Sequence, residues 1–467
     1  MSQTPAWLER LGRDQSRGPR LYAWTTENLG RDSGAATRSG HDAEPVADGS
    51  GSADLRGRIH ILGLGNLGRL YASCLAQMAD RPKLSLVVHR RALLEHWAAR
   101  PGIDMFRPGQ PEAESTSAYD LEWWTEQRPE TGPVREVCSE TGGRIEHLVV
   151  ATKATNALDE VDRLRRYLDA ASTVAFVHNG MSRLWPPHGA AYGRLRYGDA
   201  DDGGTRRAQH PNWLHCVTTH GVVSRGPFAS VHTSPADVRM GPVLLNPHTG
   251  GRAEFLLARL GAAPGLAARR VSRSALWVAQ LEKLVVNAVI NPLTAVLGCQ
   301  NGALFAGRTA DGLAGLIGRL LEEASGVLQA LVMHEANADL VCEEDAREGE
   351  DVVVADKAGG LARNRQILVE RFSTERLETM LRRVGEKVRD NTSSMLQDVQ
   401  AGKGTEVGEF NGWLVETAGC LGIRDVTGHG RLMSLVERGA TMSEQQLVEY
   451  MARKEECGKR ALRMPCP

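Results

Sequence analysis

RIHILGLGNLGRLYASCLAQMA (residues 58–79) decides the fold of the first half of this chain. RIHIL is a short apolar run of strand character. NLGRLYASCLAQMA then carries apolar residues at helical spacing. Between them GLGNLG satisfies G-x-G-x-x-G, and a strand before it with a helix after it is the context the fingerprint requires. Gly63 permits a tight turn, Gly65 lets backbone approach a pyrophosphate, and Gly68 lets helix and strand pack closely. The helix amino terminus offers N–H donors and a partial positive charge. Gly63, Leu64, Gly65, Asn66, Leu67 and Gly68 are therefore candidate cofactor contacts. A chance glycine turn is the plainer alternative, and the flanking elements weigh against it.

Further strands read outward from this unit: residues 83–90, 144–153, 172–180 and 213–223, with a hairpin over 229–243. Their alternation with helical stretches predicts a parallel sheet. Residues 100–143 are polar, rich in Pro and Gly and aperiodic, and read as an inserted loop. The second strand ends in His89-Arg90-Arg91, with no acid before Glu95. An acid there would hold the ribose of NAD, whereas Arg90 suits a 2′-phosphate and so NADP(H). The alternative is a solvated surface arginine. Lys153 closes the third strand, where ligands of open α/β sheets bind; it is equally well placed to begin a solvated loop. Asn179, before Gly180, ends another strand. Its amide suits the nicotinamide ribose or a substrate, and its position in the sheet favours that over a bare Asn-Gly turn.

From about Ser272 the character changes to long helical patterns: residues 274–297, 309–338, 363–400 and 407–421, then one or two more towards Arg463. Residues 343–360 are acidic and glycine-ended and read as a loop. The expected domains are a disordered or loosely packed leader (1–57), an α/β domain (58–271, insertion about 100–143) and an all-helical domain (272–467, insertion about 343–363).

The helical half carries the chemistry. In WVAQLEKLVVNAVINPLTAV (residues 277–296), Lys283, Asn287 and Asn291 stand four apart, on one stripe of an apolar helix. Burying a lysine and two amides is costly without a partner, so the stripe points to a site. Pro292 predicts a kink that frees backbone groups and aims Asn291 into a cleft. Lys283 suits a general acid that protonates a ketone as hydride arrives, its pKa brought down by partial burial. Alone it would read as a snorkelling lysine; three polar residues in one stripe favour a site. Downstream, TSSMLQDVQAGKGTEVGEFNG (residues 392–412) offers Ser394 for a carboxylate or hydroxyl and, after Thr405 as expected N-cap, Glu406 as a partner for Lys283 or a cofactor hydroxyl. A cap and a dipole-compensating acid are the plainer alternatives.

Composition narrows the partners. The 467 residues carry a formal net charge of −1, which favours neither nucleic acid nor a membrane surface. No apolar run reaches the ~18 residues of a membrane span. The eight scattered cysteines contain no Cys-x-x-Cys pair, so neither a metal site nor a disulfide framework is expected. The amino terminus lacks a secretory signal. Residues 8–20 are arginine-rich, which keeps a mitochondrial destination open, but Glu9 and Asp14 argue for cytoplasm.

Taken in order, GLGNLG, TKA, HNGM, LEKLVVNAVINPLTA and SSMLQDVQAGKGTE…NG resemble the ketopantoate reductase (2-dehydropantoate 2-reductase) family over residues 58 to about 440. The resemblance implies a Rossmann domain followed by an all-α domain like the 6-phosphogluconate dehydrogenase C-terminal domain, with the active site in the cleft between them. It implies reduction of 2-dehydropantoate to (R)-pantoate with NADPH, on the route to pantothenate and coenzyme A. It also implies Lys283 as proton donor and Glu406 as the glutamate beside it and the cofactor. Asn287, Asn291 and Ser394 become substrate contacts, Asn179 and Lys153 cofactor-side residues, and Arg90 the 2′-phosphate residue. The expected partner is a small 2-keto acid, and a homodimer is compatible.

The chain departs from that family at Gly408, where members carry the aspartate of Thr-Glu-Ile-Asp, and at RDVTGHG (residues 424–430), which replaces a Pro-x-Asn element. The leader and the two insertions are extra and fit a eukaryotic, fungal-like member. The rival functions are a related β-hydroxyacid-type dehydrogenase and a catalytically silent NADP(H)-binding sensor, which would need the glycines and Arg90 but not Lys283.

Overall fold

The computed structural model describes residues 5–16, 18–30, 57–137, 143–202, 205–306, 312–342 and 357–453. They divide into two units. An α/β unit is drawn from Arg10–His178 and His188–Val271, and a helical unit from Asn179–Pro187 and from Ser272 onward, with the few residues before Arg10.

In the α/β unit six strands run parallel: β1 (Ile59–Leu62), β2 (Leu84–Val88), β3 (Asp120–Thr125), β4 (His147–Val150), β5 (Thr173–Phe176) and β6 (Asn212–Thr218). They lie in the order β3-β2-β1-β4-β5-β6. This is the doubly wound dinucleotide-binding order, and its direction reverses beside β1. Ile59 pairs with Leu84 on one side and His147 on the other. Central strands of such a sheet are covered on both faces, which is why RIHIL reads as one apolar run. His60 is the polar exception; its Nε2 lies 3.2 Å from Glu122 Oε1 on β3, with both side chains buried. Two strands extend the sheet, Val238–Leu244 antiparallel to β6 and Ala268–Arg270 beyond it.

Two expectations for this unit need correcting. Residues 100–143 are not simply an inserted loop, because β3 comes from them and is the third strand of the nucleotide-binding half. Its sequence, DLEWWT, hides the alternation: Glu122 faces inward and is matched by His60 rather than by apolar neighbours. Ile103–Phe106 and Glu114–Thr116 are also strands, in a separate four-stranded sheet with Gly221–Gly226 and Ala229–Ser234. The leader is not loose at its start either. Arg20–Ala23 pairs antiparallel with β3, Leu21 is fully buried, and Trp124 Nε1 donates to Pro19 O at 3.3 Å. Asn28 Nδ2 donates to Thr131 O and Pro133 O. The Gly- and Ser-rich remainder of the leader, residues 31–56, lies outside the described residues.

The helical unit is built around α4 (Arg273–Leu297). Ser272 caps it, accepting from Ala275 N at 3.1 Å, and Gly298 ends it in the left-handed region at φ +64°. The next long helix is α5 (Leu313–Met333). The single helix expected over 363–400 is three helices, Lys357–Arg371, Thr374–Lys387 and α6 (Ser394–Gln400). Ser373 and Ser393 are the N-caps that restart the chain, accepting from Arg376 N and Leu396 N. The insertion expected at 343–363 is helical from Lys357; residues 343–356 lie outside the described residues. Then α7 (Thr427–Glu437) packs on α4. Among the described residues no helix is long and apolar enough to cross a membrane.

Candidate active site

Two constellations carry the predicted chemistry, one on each unit. On the α/β unit, β1 ends at Leu62 and the helix α1 (Asn66–Ala76) starts immediately after Gly65. Gly63 sits at φ +92°, and a Cβ there would lie 2.7 Å from the backbone of Ala151 and Thr152. At Gly68 a Cβ would fall 1.9 Å from Gly63 O, so any side chain would force helix and strand apart. Gly65 faces open space, with no heavy atom within 4 Å of a Cβ built there. Two glycines thus close the turn and the third leaves a bare backbone face at a helix amino terminus, the shape that admits a phosphate group. Asn66 faces elsewhere: its side chain donates to Val222 O and accepts from Arg69, fastening the start of α1 to the hairpin strand Gly221–Gly226.

Arg90 stands just beyond β2 and immediately before α2 (Arg91–Ala99). It is exposed, and its guanidinium has no hydrogen bond or ion pair among the described residues, whereas Arg91 is engaged with Glu95 and Leu29 O. Lys153 is also exposed, at the N-cap position of α3 (Ala154–Arg163) past the end of β4.

The second constellation lies within the helical unit. Lys283 is half-buried on α4, and its Nζ donates to Asn179 Oδ1 at 2.8 Å. Burial pushes the Lys283 pKa down from 10.5 to about 8, against which the nearby carboxylate of Glu406 raises it. A lysine held there is a usable acid near neutral pH. Glu406 is itself buried. It precedes the first helical residue, Val407, and its carbonyl accepts from Glu409 N at 3.0 Å, so the helix starts later than a Thr405 cap predicts. One turn along the stripe Asn287 is 9% exposed, and its Nδ2 is buried with no partner among the described residues. Asn291 is buried on the next turn. Ser394 is exposed as the first residue of α6, while the buried neighbour Ser393 makes the cap and meets Thr294 Oγ1 at 2.7 Å.

Pro292 does not break α4. The helix is continuous from Arg273 to Leu297 with Asn291 inside it, so the expected departure of Asn291 from helical geometry does not occur. Thr294 Oγ1 donates to the nearby carbonyls of Ile290 and Asn291.

Sequence reasoning passed over Gln280, one turn before Lys283 on the same stripe. Its Oε1 accepts from Trp185 Nε1 at 2.6 Å and its Nε2 donates to Gly180 O at 3.1 Å. Gly180 needs its φ of +81° to make this turn, and a Cβ would meet Glu409 O at 3.2 Å. Arg183 NH2 to Glu409 Oε1, 2.8 Å, closes the same loop from the other side. The segment carrying Asn179 is thereby clamped at three points, and the partner of Lys283 is held still. Extending the stripe backwards by i−3 would have found Gln280; Trp185 and Arg183 gave no periodic signal.

Known proteins bear out the resemblance read from the motifs. Family models described as "Ketopantoate reductase PanE/ApbA" and its C-terminal counterpart match residues 59–244 and 275–438. The chain is 38% identical over 456 residues to a protein named ketoisovalerate reductase BEA2 from Gibberella fujikuroi, covering 95% of this chain and 98% of that one. It is likewise 38% identical to a ketoisovalerate reductase from Beauveria bassiana, covering 96% and 98%. A PanE/ApbA family ketopantoate reductase structure from Ralstonia eutropha shares the fold, with a TM-score of 0.54, 17% identity and coverage of 85% of this chain and all of that one. The chain thus belongs to the ketopantoate reductase (PanE/ApbA) family, oxidoreductases that act on 2-keto acids.

Proposed function

We propose that this protein reduces the carbonyl of a branched 2-keto acid to the 2-hydroxy acid with NADPH, and that 2-ketoisovalerate is its substrate. The observation that carries the reaction type is the Lys283 ammonium, desolvated to a pKa of about 8 and held 2.8 Å from Asn179, on a stripe where the Asn287 amide nitrogen is buried with no partner. An unpaired buried donor costs about 1–3 kcal/mol, a penalty that a substrate oxygen accepting from it would remove. Reduced nicotinamide supplies the hydride to C2. Every other task falls to this chain. Lys283 Nζ gives its proton to the carbonyl oxygen as the C=O π pair moves onto it, and the ammonium stabilises the charge developing there. Glu406 keeps Lys283 protonated, and Asn179 fixes its direction. Asn287 and Asn291 orient the substrate, with Ser394 at the start of α6 as a further polar contact. The glycine turn takes the pyrophosphate and the unpaired Arg90 guanidinium takes the 2′-phosphate.

The substrate preference rests on the two fungal relatives, each named a ketoisovalerate reductase and matched over nearly the full chain. Ketopantoate, favoured by the family's name, differs only by a hydroxymethyl group on C3 and is the second reading. Gly408, where the family's aspartate would stand, is exposed, with open space around a Cβ built there.

The test is a panel of 2-ketoisovalerate and ketopantoate with NADPH and NADH, for wild type and Lys283→Ala. The expected result is the highest kcat/KM with 2-ketoisovalerate and NADPH, and a loss of about 100-fold or more in the variant. NADPH binding without turnover of either acid would instead favour a sensor.

A further inference from the structure

A proline inside a helix removes one hydrogen bond and costs about 3 kcal/mol. In α4 the bond lost at Pro292 is the one to the carbonyl of Ala288, a residue with no solvent exposure, so water cannot replace it. The side chain of Asn411, 123 positions later, does: its Nδ2 donates to Ala288 O at 2.9 Å. We propose that Asn411 is a positioning residue that takes the place of the missing amide N–H, and so keeps helical the turn of α4 that lies between Asn287 and Asn291.

The orientation of this amide is decided by its neighbours. The second hydrogen on Asn411 Nδ2 meets His429 Nδ1 at 3.0 Å, and His429 Nε2 meets Leu320 O at 3.0 Å. A backbone carbonyl only accepts, so Nε2 carries the proton and Nδ1 is the acceptor. Both partners of the Asn411 nitrogen are then acceptors, and a flipped amide would set oxygen against each of them. The imidazole stays neutral; burial brings its pKa down to about 4. Asn411 Oδ1 is left without a partner in the core, so the amide's place is not explained by satisfying its own oxygen.

Two local features aim these side chains. Asn411 lies in a π-helical turn, Gly408–Gly412, whose wider winding sits directly before the helix Trp413–Cys420. His429 is set by α7, whose first amides are held by Glu323: Gly428 N and His429 N donate to its two carboxylate oxygens at 2.8 and 3.1 Å. Gly428 lacks the Cβ that would stand 2.7 Å from Glu323 Oε1. The segment RDVTGHG thus delivers the histidine that locks the asparagine.

The structural half of this proposal stands alone; its functional half rests on the proposed 2-keto acid reduction. The experiment is a double-mutant cycle in urea unfolding with Asn411→Leu, Pro292→Ala and the pair. The Pro292→Ala change restores the backbone donor. Asn411→Leu is therefore expected to raise the unfolding equilibrium constant about tenfold or more when Pro292 is present, and at least about fivefold less in the Pro292→Ala background. The stranded His429 Nδ1 is common to both backgrounds and cancels. Equal losses in the two backgrounds would overturn the proposal. If Asn411→Leu does not accumulate folded, recovery of folded protein in the pair is the same result seen as rescue, and failure of both overturns it. In kinetics, Asn411→Ala should raise KM for the keto acid with NADPH affinity unchanged, and Pro292→Ala should bring KM back. An enzyme inert towards every keto acid would sink the functional reading and leave the unfolding cycle to decide the rest.

Discussion

Replacing Lys283 by methionine should remove activity and yet relieve the fold of a penalty whose pH dependence can be measured. A lysine whose pKa falls from 10.5 to about 8 on folding has lost proton affinity worth about 3 kcal/mol, at about 1.4 kcal/mol per tenfold change. The sign follows from counting protons. Below pH 8 both folded and unfolded chains hold the proton, so the cost of the buried ammonium is fully present. Between 8 and 10.5 the folded chain releases it while the unfolded chain keeps it, so the wild type gains stability. Above 10.5 neither state holds it and the cost is gone. Methionine has no such proton. The stability of wild type relative to Lys283→Met should therefore rise by about 2–3 kcal/mol from pH 7.5 to 10.5, the lower figure allowing for the partial exposure of Lys283. Methionine also leaves Asn179 Oδ1 and Glu406 without the ammonium; the amide does not titrate, and repeating the comparison in a Glu406→Gln background removes any contribution of that carboxylate. Urea unfolding followed by tryptophan fluorescence reports on the helical unit through Trp7, Trp185, Trp277 and Trp413, and on the α/β unit through the other five tryptophans. A stability difference that stays flat across the window would refute the claim that Lys283 is desolvated.

Two further outcomes follow from the same side chains. Glu406→Gln removes the charge that supports the ammonium, so the alkaline fall of kcat/KM for reduction, expected near pH 8 in the wild type, should move about one pH unit lower; an unmoved limb would separate Glu406 from Lys283. Arg90→Ala should weaken NADPH binding about tenfold or more and NADH binding hardly at all, since only the former carries the 2′-phosphate; equal losses in a fluorescence titration would show that Arg90 does not read that group.

The parts of this molecule legible in the sequence are those specified by neighbours in the chain. GLGNLG could be read because the strand, the turn and the helix it needs are contiguous, and the spacing of its glycines is a local steric requirement. The stripe on α4 could be read because a helix converts steps of four into one face. β3 could not, because its charged residue is buried against a residue distant in the chain: Glu122 Oε1 lies 3.2 Å from Nε2 of His60, 62 positions earlier, and the strand looked too polar to be central. The leader misled for the converse reason. Its low-complexity composition begins after Gly30, and the short strand ahead of it, Arg20–Ala23, is ordered by pairing with that same unrecognised β3.

Pro292 shows where local rules stop. Steric exclusion before a proline predicts a bend at Asn291, and in an isolated helix the unfilled carbonyl of Ala288 would favour one. The helix nevertheless continues through Asn291 and Pro292; a donor reaches that carbonyl from elsewhere in the fold, and that donor is held by a histidine placed by a third segment. A one-dimensional reading has no means of weighing a hydrogen bond between residues 123 positions apart. It can recognise that a buried helix carrying an internal proline must find a replacement donor, and that the search should favour asparagine or glutamine in segments expected to pack on it. By that criterion the Asn-Gly pair at 411–412, which ends the family-like motif, already had a physical reason to be there.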